Sequence, residues 1–383
     1  MPLTVGALAG VVDEIAPFRL AYDWDNVGLL LGNPDRQVSR VLLALEADAG
    51  SIASARRLGC EVILSHHPLI FRPLRHLRYD SPQVRLIAEL VRADIALIAA
   101  HTNLDRVVHG TSGALAARLG LRNVRVFAPA PDQDLFKFTV FVPHDYTPKI
   151  IEAIHRGGGG RIGNYTHCTF RSPGTGTYVP GENAKPFAGS HGQLEEAAED
   201  RLEAVVPRRA LGALLREVRQ AHPYEEMAYD VYPLANTNPA HGDGALGELP
   251  ARTTVGRLAA QLHGLCGADA TAVVGDTAAP VRTVAIFTGS GGSSLGQIPP
   301  GTADVIITGE LGYHQACEAR DRGQAVICLG HAASEKIFAS HLRAVLAAHP
   351  AVRAAQLKLE VYEDFPDPLQ VVAAAKPRRR RKR

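Results

Sequence analysis

The hydrophobic pattern of the first 131 residues alternates between two kinds of segment. Residues 38–46 (VSRVLLALE), 61–65 (EVILS) and 95–100 (IALIAA) are short runs with little polar interruption. They alternate with stretches of helical spacing, residues 49–58 and residues 82–92, the latter with apolar Val84, Ile87, Leu90 and Val91. Strands covered on both faces lose their apolar–polar alternation, so this grammar predicts a parallel sheet flanked by helices. From about residue 244 the same grammar returns. Strands are predicted at 272–274, 281–287 (VRTVAIF), 304–308 (DVIIT), 325–329 (AVICL) and 356–362, and helices at 254–265, 313–322 and 334–347.

The middle of the chain reads differently. Strands at 136–142, 165–171, 202–206 and 227–232, with helices at 148–155 and 208–221, give the β-α-β-β-α-β order of a ferredoxin-like module. The expected fold class is α/β. Two α/β lobes have sheets flanked by helices (residues 1–131 and 237–370, the second completing the site), and a ferredoxin-like α+β domain (132–236) is inserted between them. Residues 371–383 form a basic tail, read as disordered.

Composition narrows the function. Of 383 residues 46% are hydrophobic and 21% charged, the balance of a globular protein with material for a large core. No apolar run approaches the roughly 18 residues of a spanning helix, and the first ten residues show no secretory pattern. Five cysteines without a CxxC pair fit a reducing compartment, so a cytoplasmic location is expected. The net charge of +2 conceals seven basic residues at the very end; without them 34 basic residues face 39 acidic ones. A mildly acidic body with a basic tail makes nucleic-acid binding the lowest-ranked function.

Three polar clusters follow apolar strands: His66–His67, then His101 to Asp105 (HTNLD), then His331 to Glu335 (HAASE). Ligands of open α/β sheets bind at the carboxyl ends of strands, so clusters far apart in sequence can converge there. His331 and Glu335, four apart at a helix start, project from one face, and His101 and Asp105 share that spacing. Imidazole with carboxylate suits a divalent transition metal, and Zn, Mn, Fe, Co and Ni all remain open. Five candidate ligands, His66, His67, Asp105, His331 and Glu335, exceed the needs of one four-coordinate ion. Two ions sharing a carboxylate would use them and leave room for water. The bland reading of each cluster alone, a packing or surface histidine, is weakened by their coincidence at three strand ends.

DNVGLLLG (25–32), SHHP (65–68), HTNLD (101–105), TGELGYH (308–314) and LGHAASE (329–335) together resemble the Nif-three-like family, also known as GTP cyclohydrolase type 2 or dinuclear-metal hexameric proteins. The middle segment, with GTGTYVPGENAKPF (174–187) and HPYEEMAYDVYPL (222–234), is similar to the inserted domain of the longer bacterial members. The resemblance implies two divalent metal ions on His66, His67, Asp105, His331 and Glu335. It implies catalytic or proton-transfer roles for His101 and His314, and a homohexamer as the assembly. The expected function is a dinuclear metal-dependent hydrolase acting on a nucleotide or phosphate-bearing substrate, GTP being the one the family's name suggests. The alternative is a metal-binding regulatory or scaffold protein, such as a metal chaperone, without turnover. No purine pocket is identifiable in the sequence.

Weaker signals remain. Residues 289–294 (GSGGSS) read as a strand-to-helix turn before a phosphate cradle. Asp25 and Asn26 are expected to order a turn near the cleft, Trp24 to be core, and Cys60 and Cys328 to be buried packing.

Overall fold

The last strand of the chain, Lys358–Tyr362, pairs in parallel with Arg40–Ala44 near its beginning. That closure builds a five-stranded sheet in the order Lys358–Tyr362, Arg40–Ala44, Val62–Ser65, Ala96–Ala99, Gly28–Leu31. The first four strands are parallel and the fifth antiparallel. Successive side chains of Arg40–Ala44 explain why it reads as apolar throughout. Val41 and Leu43 enter one core with Leu8, Val12, Leu342 and Leu346, whereas Leu42 enters another with Ile52, Ile63 and Leu90. Each such fully buried aliphatic side chain contributes about 1.5–3 kcal/mol over exposure. The helix Ala49–Leu58 shows how local sequence sets the ends. The Asp48 carboxylate accepts from Ser51 N–H at 2.7 Å, and Gly59 closes the helix at a φ of 68°.

A computed structural model describes residues 2–131, 135–299, 301–369 and 371. The basic stretch from residue 372 onward therefore lies outside the described residues. The chain forms two compact units, Met1–Ala130 with Pro239–Arg383, and Pro131–Asn238.

The first unit also holds a six-stranded sheet, in the order Ala272–Val274, Ala325–Cys328, Val305–Thr308, Pro280–Phe287, Thr237–Thr254, Arg122–Pro131. Its three strands Pro280–Phe287, Val305–Thr308 and Ala325–Cys328 run parallel. The five- and six-stranded sheets thus each take a strand from the other's stretch of the chain. Arg122–Pro131 joins the later sheet and Lys358–Tyr362 the earlier one. Periodicity says where strands are, not which neighbour each selects, so this exchange is invisible in the pattern.

The second unit has strands Leu135–Pro143, Thr169–Tyr178, Glu195–Pro207 and Tyr229–Pro233, with helices Thr147–Arg156 and Arg208–Ala221. The strand order is Tyr229–Pro233, Leu135–Pro143, Glu195–Pro207, Thr169–Tyr178, antiparallel throughout. Ile150, Ile154, Leu214 and Val218 of the helices pack on Phe138, Val140 and Leu202 of the sheet. Thr169–Tyr178 carries Pro173 and two glycines yet remains a strand. It lies at the sheet edge, where a missing ladder donor is tolerated. No helix among the described residues is long and apolar enough to cross a membrane.

Candidate metal centre

Four histidines of the first unit converge where strands of both sheets end. His66 and His67 follow Val62–Ser65, and their amides continue the ladder to Ala44 and Leu45 carbonyls at 3.1 and 3.0 Å. His101 follows Ala96–Ala99 and precedes the short helix Thr102–Asp105. His331 opens the helix His331–Glu335 after Ala325–Cys328, with the chain turned by Gly330 at a φ of 91°. A second helix, Phe338–Ala348, follows. The segment expected as one helix over 334–347 is therefore two.

Each imidazole is held in the same way, by its Nδ1. The His66 Nδ1 donates to the Ala100 carbonyl at 2.8 Å, and the His67 Nδ1 meets Glu46 Oε1 at 2.5 Å. The His101 Nδ1 meets Asp25 Oδ1 at 2.9 Å, and the His331 Nδ1 meets Glu310 Oε1 at 3.0 Å. A carbonyl or carboxylate at Nδ1 fixes a proton there and leaves Nε2 as the coordinating nitrogen, the arrangement that supports histidine ligands at metal sites.

The Nε2 atoms of His66, His67 and His331 face the carboxylate of Glu335, which is only 3% exposed. Its Oε2 lies 3.2 Å from His67 Nε2 and 3.1 Å from His331 Nε2. Its Oε1 lies 3.8 Å from His66 Nε2, and that nitrogen lies 3.7 Å from Asp105 Oδ1. Despite these short separations, His66 Nε2 and Glu335 Oε2 are buried without a hydrogen bond of acceptable geometry. Donors about 2.0–2.2 Å from a tetrahedral ion stand about 3.3–3.6 Å apart, and the separations here, 3.1–3.8 Å, lie within about 0.2 Å of that range. Left without a partner, each buried polar atom costs about 1–3 kcal/mol. Two groups gather ligand atoms within 4.8 Å of one another: His66 with His67 and His101, and His67 with His331 and Glu335.

Electrostatics agrees. Burial opposes a charge on His67, but Glu335 and Glu46 outweigh it and lift its pKa to about 10. The nearby Glu335 carboxylate lifts His331 to about 9, helped by Glu310 and opposed by burial. Burial also works against a charge on His66, and Asp105 and Glu335 overcome it. Glu335 is held well below the carboxylate range, its burial outweighed by His331, His66 and His67. Burial raises Asp105, with Glu335 adding to the rise against the pull of His66. Asp25 is lowered to about 2, burial being outweighed by His101 and Thr102. Without an ion His67 and His331 take up protons, and a divalent cation would release them on binding.

Of the residues singled out in the sequence, His66, His67, Asp105, His331 and Glu335 come together. His101 joins them within ligand distance of His66 and His67. His314 does not. It is exposed on the helix Tyr313–Asp321, and its ring neighbours Tyr313. Glu46, Asp25 and Glu310, which seat three of the four imidazoles, were not expected in those roles. The only signal for them is position, since each follows a strand or stands in a motif beside a histidine. Gly289 has a part that its glycine-rich surroundings conceal. A Cβ there would collide with the Glu335 carboxylate and come within 3.3 Å of His331 Nε2. Its amide donates to Ser334 Oγ at 2.9 Å, so that N–H is already engaged.

The profile of the Duf34/NIF3 (NGG1p interacting factor 3) family matches residues 3–368. A GTP cyclohydrolase 1 type 2 homolog of Halalkalibacterium halodurans is 39% identical over 316 residues, which is 82% of this chain and 85% of that protein. The structure of a Bacillus cereus protein related to NIF3 superposes with a TM-score of 0.76 at 34% identity, covering 97% of this chain and 100% of the other. Staphylococcus aureus protein SA1388 superposes with a TM-score of 0.80 at 27% identity, covering 97% and 99%. With its profile match running through both sheets and all three histidine clusters, the chain belongs to the Duf34/NIF3 family.

Proposed function

We propose that the chain is a hydrolase dependent on two divalent metal ions, acting on a small nucleotide-like or phosphate-bearing molecule. The observation that carries this reading is the double-sided setting of Glu335. One carboxylate oxygen faces His66, and the other faces His67 and His331. A carboxylate so placed suits a bridge between neighbouring ions. His66, Asp105 and His101 would hold one ion, and His67 and His331 the other. Such a pair supplies Lewis acidity and activates water near neutral pH.

The rest of the work belongs to the chain. Ala100, Glu46, Asp25 and Glu310 keep each histidine proton on Nδ1 and so keep Nε2 free. Asp25 also accepts from the Thr102 amide at 3.1 Å, which fixes the loop around His101. A cavity of about 470 Å³ opens onto the cluster and is lined by His67, His101, Asp105, His331 and Glu335 among others. That is room for a small molecule. The name of the Halalkalibacterium halodurans relative makes GTP the first substrate to try.

The test is turnover by protein loaded in turn with Mn, Fe, Co or Zn, against GTP, other nucleotides and phosphoesters. Hydrolysis that disappears in both His331→Ala and Glu335→Ala supports the reading. Hydrolysis that survives both, or no turnover with a full metal complement, overturns it. The second outcome leaves a metal-binding protein without catalysis.

A further inference from the structure

Trp24 is the only tryptophan in 383 residues. Rather than joining the core as its sequence context suggests, it is 59% exposed. Tyr22 and Phe71 beside it are also exposed, and all three rings line the cavity that reaches His67, His101 and Glu335. Trp24 stacks on Tyr22 with centroids 5.4 Å apart and planes within 12°. The Phe71 and His101 rings stand edge-on to it at 5.8 and 6.3 Å. An apolar patch of this kind at the mouth of a polar pocket marks a binding surface.

The patch is fastened in place. The Tyr22 amide donates to Thr102 Oγ1 at 3.1 Å, and the Arg106 guanidinium lies 4.9 Å from the centre of its ring. Partial burial and the nearby Asp243 carboxylate raise the pKa of the Tyr22 hydroxyl to about 12. Asp25, next to Trp24, holds the His101 imidazole, and Asn26 Nδ2 donates to the Ile70 carbonyl at 2.5 Å, beside Phe71. The aromatic wall and the histidine cluster therefore share one framework, and little freedom remains to be lost on binding.

The charges of the cavity decide what such a wall recognises. Among the described residues that line it, Asp105, Asp243 and Glu335 are acidic, and none is lysine or arginine. Phosphate groups would find no side-chain ammonium or guanidinium on that lining. A flat ring needs none, because stacking draws on surface and polarizability.

We propose that Trp24, backed by Tyr22 and edged by Phe71, is the stacking wall for a flat heteroaromatic ring, and that molecules taken by this centre are recognised first through a nucleobase-like ring. The proposal rests on the reading of the cluster as a centre acting on small molecules. Its test does not require turnover.

Trp24 reports on itself. Metal-loaded wild-type protein is titrated with guanosine, GTP and inorganic tripolyphosphate while tryptophan emission is recorded, and binding is measured in parallel by equilibrium dialysis. The expected result is saturable quenching by guanosine and GTP and none by tripolyphosphate. Trp24→Ala should weaken guanosine binding about tenfold or more, as loss of a base–aromatic stack does, and Trp24→Phe should restore most of it. Both variants are first shown to keep wild-type metal content and circular dichroism, so that a folding defect is not read as lost stacking. Guanosine binding that leaves the emission unchanged or survives Trp24→Ala overturns the proposal. So does tripolyphosphate binding as tight as that of GTP, or no binding of either ring compound. Quenching without hydrolysis keeps the wall and removes the hydrolase, whereas hydrolysis without quenching does the reverse.

Discussion

His67 Nε2 stands 3.2 Å from Glu335 Oε2, although the two residues reach that point from different sheets. His67 follows a strand of the five-stranded sheet, and Glu335 lies on a helix that follows a strand of the six-stranded one. Their meeting is what turns isolated strand-end residues into a candidate centre.

Glu310 shows how a candidate ligand is seated. It accepts from Ser290 Oγ at 2.7 Å and meets the His331 Nδ1 at 3.0 Å, and both contacts hold its carboxyl below the usual range. Replacing it by glutamine takes the charge from behind His331 while keeping its size. Glu310→Gln is expected to weaken metal binding about 10–100-fold, the usual effect of losing a group that orients a histidine ligand. Metal titration calorimetry on stripped protein reads this directly, and unchanged affinity would remove Glu310 from the account.

Gly289 is predicted to be intolerant of even one methyl group. Its φ is +60°, and a Cβ would strike the Glu335 carboxylate. Gly289→Ala should cost about 1–3 kcal/mol of stability through backbone strain and should also lower bound metal. Denaturant melts with elemental analysis of the same samples check both parts. Full metal content in a stable variant would contradict the packing described.

Phe338 connects the core to the centre. It is 1% exposed, and its ring lies 5.2 Å from that of His66. Phe338→Ala is expected to destabilise the protein by about 3–5 kcal/mol, the usual cost of so large a core deletion. His66 then loses one wall, so metal affinity should fall as well. Equilibrium unfolding and metal titration are the readouts.

The convergence of the five residues expected as ligands was legible because strand ends concentrate ligand sites and imidazole–carboxylate clusters there are uncommon. The carboxylates behind them were not. Glu46 and Glu310 are single acidic residues after strands, where a solvated side chain is ordinary, and only the fold aims them at an Nδ1. His314 sits within a recognisable motif, yet its helix leaves it exposed. Trp24 reads as core because tryptophan usually is buried; what exposes it is a loop tied to His101 through Asp25, a contact no periodicity encodes. Many strands were readable from hydrophobic runs, but Gly28–Leu31, Arg122–Pro131 and Thr237–Thr254 were not, and strand order depends on contacts between distant segments.

His222 provides a pH test in the second unit. Its ring is buried, with Nε2 bonded to the Phe141 carbonyl at 2.9 Å and Nδ1 accepting from the Tyr224 amide at 3.1 Å. Burial holds its pKa below the ordinary value. The unfolded chain therefore takes up this proton first as pH falls. The stabilising contribution is complete above the unfolded pKa of about 6.5 and is lost as pH drops through the lower folded value. Unfolding of the wild type should become easier between about pH 7.5 and about pH 5.5, and His222→Gln should remove part of that dependence. Identical pH slopes in the two proteins would refute the assignment.

The most direct measurement is anomalous diffraction from crystals of metal-loaded protein, recorded on either side of the absorption edge of the metal supplied. Two peaks are predicted, one on each side of the Glu335 carboxylate, the first bordered by His66 and Asp105 and the second by His67 and His331. Ions bound away from these residues, or a fully loaded crystal with no peak beside Glu335, would contradict the proposed centre.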